Sequence, residues 1–323
     1  MWSKPDNFVW WNESGAAFPP ATAGLLSAGG VSLRNVDTTI AQYPSHDLEG
    51  LCNLAYLRHR VDRLVPGRGC EGIERLEVQL KAQAFSLHRH DTYAIGLTLA
   101  GVQTFRYRGV RRNSLPGQCH ILHPDEAHDG APGTEGGFRY RILYLDPVLV
   151  QQAIGGTSLP FVSEPVMSFS ARHLIRFERL WDLDDEIDEL GRNDVVVLAL
   201  EALMAASRGP PVSVRLSMEG LNHARELIAS DPTERHSLDT LEKVANLDRW
   251  TLARQFRAAF GTSPSRYRTM RQLTLARRLM LSGTPLVEAS LRAGFADQSH
   301  MTRQFKSAFG LAPGCWTKAA VRA

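Results

Sequence analysis

Histidine side chains supply the most versatile chemistry in the first half of the chain. His88 and His90 are separated by one residue, and His128 follows further along. On a β-strand this spacing makes two side chains face the same way, so a third histidine from another strand can join them. A neutral imidazole can bind a metal ion, hydrogen-bond to a small molecule or make a structural hydrogen bond. The spacing predicts a polar cluster, with Tyr93 nearby in the chain, and leaves those three uses open.

A repeated segment near the C-terminus carries a second kind of chemistry. Residues 254–264 (RQFRAAFGTSP) recur 49 residues later as residues 303–313 (RQFKSAFGLAP). Before each copy, a short stretch with helical periodicity is followed by a turn and by an aspartate, Asp248 or Asp297, that suits a helix N-cap. Inward-facing phenylalanines leave a polar, basic outer face on the next helix. Each copy therefore predicts a helix-turn-helix DNA-binding unit.

The outer faces of these two recognition helices hold the residues that we expect to contact DNA. They are Arg249, Trp250, Thr251 and Arg254 in the first unit, and Gln298, Ser299, His300, Thr302, Arg303 and Lys306 in the second. Arg254 and Arg303 occupy equivalent positions of the repeat, where they can clamp phosphates, read base edges or pair with acidic residues of the protein. His300 suits packing or phosphate contact as well as base reading.

Charge is distributed unevenly along the chain. From residue 215 onward there are 17 Lys and Arg residues against 9 Asp and Glu, whereas the preceding residues hold 20 against 25. A basic module behind an acidic one is typical of a polyanion-binding domain joined to a different domain. A solvated basic surface gives the same balance, so the charge supports the DNA-binding interpretation without requiring it.

Hydrophobic periodicity indicates which elements must position these residues. Residues 73–145 contain several runs in which apolar and polar side chains alternate, which predicts short β-strands in a sandwich or small barrel. After Pro165 the period becomes helical, and one stripe that contains Val195 and Ala199 either packs on the barrel or forms a dimer seam. Residues 207–214 (SRGPPVSV) predict a linker, because glycine and prolines interrupt the helical pattern.

The second repeat unit carries a recognisable signature. Residues 293–313 (AGFADQSHMTRQFKSAFGLAP) contain a Gly-Phe turn, a cap, Ser-His, Arg-x-Phe-Lys and Phe-Gly-x-x-Pro in that order. This run resembles the DNA-binding domain of the AraC/XylS family of bacterial transcription regulators, and the resemblance extends over residues 221–316. In the first unit Glu242 and Asn246 stand where the family usually has Ala and Gly, so the turn there depends on Asn246.

The segment around the histidines carries three further motifs, HRHDTYAIG, GVQTFRYRG and PDEAHDG, in this order. They resemble the ligand-sensing domain of AraC-type regulators, which implies that His88, His90, Tyr93 and His128 line a pocket for a small molecule. The segment is also similar to a cupin barrel, in which such histidines bind a metal together with a Glu. Ala94 stands at the position of that Glu, so we expect no metal ion and no other cofactor.

These observations predict an α+β multidomain protein. The expected parts are an irregular N-terminal extension (1–68), a cupin-like β-barrel that senses a ligand (69–165), a helical segment that dimerises the protein (166–206), a linker (207–214) and an all-α DNA-binding domain with two helix-turn-helix units (215–323).

The predicted function is sequence-specific, ligand-controlled transcription regulation without catalysis. The expected partners are double-stranded promoter or operator DNA, a small-molecule effector, a second copy of the chain and RNA polymerase. A metal-dependent cupin enzyme fused to a DNA-binding tail is the alternative, and the missing Glu argues against it. There is no signal-peptide pattern and no uninterrupted apolar stretch of about 18 residues, so we expect a cytoplasmic protein without membrane contact.

Overall fold

The computed structural model describes residues 63–81, 85–207 and 215–321. These residues all lie in one compact unit. Most of the predicted N-terminal extension and of the predicted linker therefore lies outside the described residues. The expectation of irregular chain as far as residue 68 is wrong for Arg63–Pro66, which forms a strand because it pairs antiparallel with the strand that follows it.

Ten strands among the described residues form two antiparallel sheets. In chain order they are β1 (Arg63–Pro66), β2 (Ile73–Leu80), β3 (Phe85–His88), β4 (Tyr93–Gly101), β5 (Gln103–Tyr107), β6 (Val110–Ser114), β7 (Gln118–Leu122), β8 (His128–Pro132), β9 (Phe138–Leu145) and β10 (Val166–Ser168). The six-stranded sheet has the order β1-β2-β9-β4-β7-β10, and the four-stranded sheet has the order β3-β8-β5-β6. Apolar residues of both sheets share one interior core, as the predicted barrel requires.

Alternation along the strands separates two apolar layers. On β7, Leu122 belongs to the interior core between the sheets, together with Phe105 of β5. Its neighbours Cys119 and Ile121 belong to a second core on the outer face of the larger sheet. Successive side chains of a strand point to opposite faces, so one strand serves both layers.

Three helices cover the outer face of the six-stranded sheet: α1 (Pro147–Ile154), α2 (Ala171–Phe177) and α3 (Glu189–Ala206). A 3-10 turn at Glu178–Trp181 fixes Trp181, whose indole N–H donates a hydrogen bond of 2.8 Å to the Ile95 carbonyl. Val195 and Ala199, from the predicted α3 stripe, are buried in this outer core. That stripe therefore packs on the barrel and does not form a dimer seam.

The described residues after the linker are helical: α4 (Met218–Ser230), α5 (Leu238–Ala245), α6 (Arg249–Phe260), α7 (Pro264–Leu281), α8 (Leu286–Arg292), α9 (Gln298–Phe309) and α10 (Pro313–Val321). Phe256 of α6 packs in one core with α4 and α5, whereas Phe305 of α9 packs in a second core with α7 and α8. The two cores belong to the two helix-turn-helix units, and α7, about 27 Å long, connects them. Within the described part of the chain, no helix combines the length and apolarity needed to cross a membrane.

Candidate DNA-contacting surface and ligand cavity

Both recognition helices, α6 and α9, begin at an aspartate that caps the first turn. The Asp248 carboxylate accepts hydrogen bonds from the N–H groups of Trp250 (3.0 Å) and Thr251 (3.1 Å). The Asp297 carboxylate accepts one from the N–H of His300 at 2.6 Å. Hydrogen bonds from Thr251 lower the pKa of Asp248, so it caps as a charged carboxylate. The caps fix where each recognition helix begins, and base-contacting residues stand near that end.

The turn before each recognition helix contains a residue with left-handed backbone. Gly294 has a φ of 78°, and Asn246 has a φ of 50°. The N–H of Asn246 donates to the carbonyls of Glu242 and Lys243, which closes the end of α5. Asparagine tolerates this conformation better than most residues with a side chain. The departure from the family pattern at Asn246 therefore preserves the turn.

Two predicted DNA contacts at the start of α6 have different surroundings. Trp250 is 80% exposed, so its indole is available to a partner. Arg249 is held by α5 instead, because its guanidinium lies 3.3 Å from carboxylate oxygens of both Asp239 and Glu242. To contact a DNA phosphate, the Arg249 guanidinium must either release these carboxylates or bind the phosphate while it still pairs with them.

The equivalent arginines of the repeat, Arg254 and Arg303, are both exposed. Neither forms an ion pair with any residue that the structure describes, which favours the two DNA-binding roles over the internal ion pair. The other predicted contacts on the two helices are partly or fully exposed: Thr251, Gln298, Ser299, His300, Thr302 and Lys306.

His88, His90 and His128 converge at one end of the barrel. Their ring centroids are 4.2 Å (His88–His128), 4.8 Å (His90–His128) and 6.1 Å (His88–His90) apart. Strand pairing places His88 opposite His128, and His90 follows in the loop after β3. The predicted polar cluster is therefore present, although one of its members lies just beyond the strand.

Each ring of this histidine cluster is oriented by a hydrogen bond from Nδ1 to a backbone carbonyl. The acceptors are Ser86 (2.7 Å), Thr92 (2.9 Å) and Glu126 (2.9 Å). Because a carbonyl only accepts, each Nδ1 carries the hydrogen and each Nε2 keeps its lone pair. Burial lowers the pKa of all three imidazoles, that of His90 to about 3, so they are neutral near pH 7. Three neutral imidazole nitrogens are donors that suit a transition metal ion as well as a polar ligand.

Tyr93 lies away from the histidine cluster, which corrects the expectation that it lines the same pocket. Its side chain is buried in the outer core, where the hydroxyl donates a hydrogen bond of 2.7 Å to the Pro160 carbonyl. The next residue, Ala94, belongs to the interior core. Proximity to His90 in the sequence did not determine the face of Tyr93, because the chain turns between His90 and β4.

A cavity of about 940 Å³ lies beside the histidine cluster. Phe105 and Ile142 of the barrel interior form part of its wall. Met270 and Arg271 of α7 and Trp316 of α10 form part of another wall. The cavity is therefore shared by the barrel and the DNA-binding helices.

His120 lines the same cavity and was missed as a candidate. Its side chain is 1% exposed, and neither ring nitrogen has a hydrogen-bond partner among the residues that the structure describes. It lies beneath Gly96, where any Cβ would overlap the imidazole. Burial lowers its pKa to about 3, so the ring is neutral. Period-two alternation with Leu122 on β7 was the signal in the sequence that places His120 inside the barrel.

Ion pairs join the barrel to α7. Asp91, next to the histidine cluster, accepts a hydrogen bond of 2.6 Å from Arg271, and Glu74 of β2 lies 3.1 Å from Arg277. The side chain of Asp91 is 7% exposed, so its charge is largely removed from water. This ion pair stabilises the contact between the barrel and α7, because separating them leaves a buried charge without a partner.

A second ionic contact centres on Asp125, in the loop before β8. Its carboxylate lies 4.0 Å from Arg89, 3.6 Å from Arg257 of α6 and 3.8 Å from Arg266 of α7. The Arg89 N–H also donates to the Ser307 carbonyl of α9 at 3.0 Å. Both recognition helices are thus tied to the barrel near their C-terminal ends.

The glycine that ends each recognition helix packs directly against the barrel. Gly261 and Gly310 both have left-handed backbone, with φ of 73° and 72°. A Cβ added to Gly261 would lie 2.5 Å from the Pro124 Cβ, and one added to Gly310 would lie 3.0 Å from the His88 Nδ1. The repeated glycine therefore serves two purposes, since it ends the helix and permits close packing on the barrel.

A β-barrel that forms one wall of a cavity, joined to tandem helix-turn-helix units, is the architecture of a DNA-binding transcription regulator. Two family models agree with this class: an AraC-like ligand binding domain matches residues 72–203, and a helix-turn-helix domain matches residues 241–319. The chain belongs to the AraC family of transcription regulators.

Relatives and solved structures are similar over different lengths. The chain is 24% identical over 232 residues to the uncharacterized HTH-type transcriptional regulator YbfI of Bacillus subtilis, a match that covers 68% of this chain and 82% of YbfI. It is 32% identical over 78 residues to the multiple antibiotic resistance protein MarA of Escherichia coli, which covers 24% of this chain and 61% of MarA. The fold is similar to that of ToxT from Vibrio cholerae, with a TM-score of 0.57 at 11% identity over 77% of this chain and 99% of ToxT.

Proposed function

We propose that a small molecule bound in the shared cavity controls how this regulator binds DNA. The observation that carries the proposal is that one cavity touches both the barrel interior and α7 of the DNA-binding part. A ligand that fills it contacts both parts at once, so it stabilises one arrangement of the two more than another. Differential contacts of this kind couple an effector site to a distant binding surface.

The lining of the cavity suits an amphipathic organic effector. Phe105, Leu122 and Tyr140 supply apolar walls inside the barrel, and the unpartnered nitrogens of His120 supply polar atoms there. Arg278 of α7 adds a cationic side chain to the lining. The volume falls within the range of about 300–1,000 Å³ that is usual for small-molecule sites. One crystal structure of ToxT contains a bound unsaturated fatty acid, a molecule of this general kind.

DNA recognition is assigned to the exposed starts of α6 and α9. Trp250, Gln298 and Ser299 stand near the N-terminal ends of these helices, where side chains of a helix-turn-helix reach base edges. Arg254 and Arg303 stand one turn further along, where an exposed cation contacts phosphates. The connecting helix α7 allows the two units to enter successive major grooves, since its length of about 27 Å approaches one turn of DNA.

Dimerisation is assigned to the exposed face of α3. Leu190, Val197 and Met204 recur every seven residues and are 72%, 52% and 43% exposed. This spacing lines up apolar side chains along one side of a helix, as in a two-helix seam. A second copy of the chain presents the same stripe and can cover it symmetrically. Val197→Glu should convert a dimer into a monomer in analytical ultracentrifugation, whereas Val287→Glu, at an exposed valine of α8, should not.

We assign the barrel to sensing rather than to catalysis, and we place the regulator in the cytoplasm with its DNA. Contact with RNA polymerase follows if the protein activates transcription. The assignments to sensing, to the cytoplasm and to contact with RNA polymerase all rest on the class of protein to which the chain belongs.

Oleate is a suitable probe of effector control. We expect oleate to raise the melting temperature of the protein and to change its affinity for the DNA upstream of its own gene by at least about fivefold, measured by fluorescence anisotropy. Leu122→Trp fills the cavity from the barrel side and should abolish both effects, whereas Leu238→Trp, at an exposed leucine of α5, should retain them. A ligand that occupies the cavity and leaves DNA affinity unchanged would refute the proposed control. Absence of oleate binding would refute the ligand class.

A further inference from the structure

We propose that His88, His90 and His128 form a binding site for one divalent transition metal ion. Their ligand nitrogens all lie within 4.8 Å of one another, and all three side chains are buried. Zinc–nitrogen bonds are about 2.0–2.1 Å long, so the three rings must move closer together when they bind one ion. The cluster borders the cavity, which leaves room for a further ligand.

The hydrogen bonds around the cluster are those of metal-binding histidines. In metal sites the ring nitrogen that does not bind the metal donates to a carbonyl or carboxylate, which fixes the tautomer and the ring orientation. His88, His90 and His128 all do this through Nδ1, to three different backbone carbonyls. In all three rings, Nε2 is therefore the nitrogen that keeps its lone pair for a metal ion. The shared arrangement is the second observation, independent of proximity.

The donor set also indicates the class of metal. Three neutral imidazoles suit zinc, nickel, copper or iron, whereas calcium and magnesium require oxygen ligands. The nearby Asp91 carboxylate is engaged by Arg271, and Ala94 supplies no donor from the interior. Three protein ligands with a position open to the cavity resemble the coordination of zinc sites that keep a place for an exogenous ligand. Ala94 removes the carboxylate ligand of the cupin site, and the proposed site uses the three imidazoles without it.

A metal ion here would tighten the contact between the barrel and the recognition helix α9. Two of the ligands, His88 and His90, flank Arg89, whose N–H donates to Ser307 and whose carbonyl accepts a bond of 2.7 Å from Arg266. An ion bound by both neighbours of Arg89 would restrict the backbone at Arg89. That backbone forms part of the barrel surface that contacts α9.

Metal binding is tested on the full-length chain, purified without a histidine tag and stripped with a chelator. We expect equilibrium dialysis against Zn²⁺ or Co²⁺, followed by elemental analysis, to give one ion per chain. His128→Gln and His90→Gln should each weaken binding by about a hundredfold or more. His223→Gln, at an exposed histidine of α4, should leave it unchanged. Retention of the ion by His128→Gln, or no bound ion in the wild-type protein, would overturn the proposal.

X-ray absorption at the zinc edge tests the same site without any substitution. We expect three imidazole nitrogens around the zinc of the wild-type protein, so the experiment remains decisive if a variant does not fold. Coordination by sulfur, or by oxygen alone, would contradict the site. The result does not depend on the effector, because both measurements are made without DNA and without an organic ligand.

Discussion

Arg254 and Arg303 hold equivalent places on α6 and α9, and neither is engaged by another described residue. We expect Arg303→Ala to weaken binding to all DNA sequences alike and to reduce the slope of log affinity against log salt by about one, because the proposed phosphate contact is lost. Mobility shifts at several salt concentrations measure both. Arg254→Ala should act in the same way in the first unit.

Arg292→Ala is the control, since Arg292 lies on α8 and pairs with Glu288 of the same helix. It should change affinity little. If Arg303→Ala instead relaxed specificity at a single base pair, at a cost of about 1–3 kcal/mol, Arg303 would be a base reader.

His120 is a buried polar side chain whose ring nitrogens have no hydrogen-bond partner in the described part of the chain. We expect His120→Leu to stabilise the ligand-free protein by about 1–3 kcal/mol, because an unsatisfied polar group costs that much to bury. The same change should reduce the response to the oleate probe. Urea unfolding and DNA-binding titrations measure the two effects. A destabilised variant with a normal response would show that His120 is a packing residue.

The pH dependence of stability provides a second readout of the His120 ring. Its pKa falls from about 6.5 in the unfolded chain to about 3 in the folded one, and that of His123 falls to about 4. Below pH 6.5 the unfolded chain therefore binds more protons, so stability is lost as the pH falls. His120→Leu should reduce this loss by about 1.4 kcal/mol for each pH unit between 6 and 4. An unchanged slope would mean that His120 is protonated in the folded state.

The secondary-structure elements follow closely from local sequence. The caps Asp248 and Asp297 and the left-handed Gly294 act over a few residues, so their pattern predicts where the recognition helices begin. Strand alternation likewise brings His88 and His128 together. Alternation with Leu122 also predicts that His120 faces the barrel interior. The presence of a cavity beside His120 and the face of Tyr93 depend on how the chain turns and packs over long distances.

Gly261 links helix termination to packing between elements. We expect Gly261→Ala to destabilise the protein by about 2–4 kcal/mol, because alanine is strained at positive φ and its Cβ meets Pro124. Gly283→Ala is a matched control, since Gly283 has a φ of 86° and no described residue lies within 4 Å of an added Cβ. It should cost about 1 kcal/mol. Urea unfolding of the two variants measures the difference in their stability. Equal losses of stability would mean that Pro124 moves away from the added methyl group at no energetic cost.

Several features join the barrel to the DNA-binding helices. The cavity, the ion pairs and the backbone contacts of Arg89 all lie between these two parts. Sequence patterns predicted both parts but not this shared surface. Asp91 and Arg271 are far apart in the chain, and neither belongs to a motif that pairs them. Their pairing arises from tertiary packing alone, and it places the cavity against the DNA-binding helices.

The docked arrangement predicts that the two parts unfold together. Asp91→Asn removes the closest acidic partner of Arg271 and, among the described residues, leaves Asp146 at 3.8 Å to balance its charge. Breaking a largely buried pair in this way costs about 3 kcal/mol or more, so we expect calorimetry to resolve two unfolding transitions in place of one. Glu288→Gln neutralises an exposed pair within α8 and should leave a single transition, since surface pairs contribute little. A single transition at an unshifted temperature in Asp91→Asn would show that this ion pair does not hold the DNA-binding helices against the barrel.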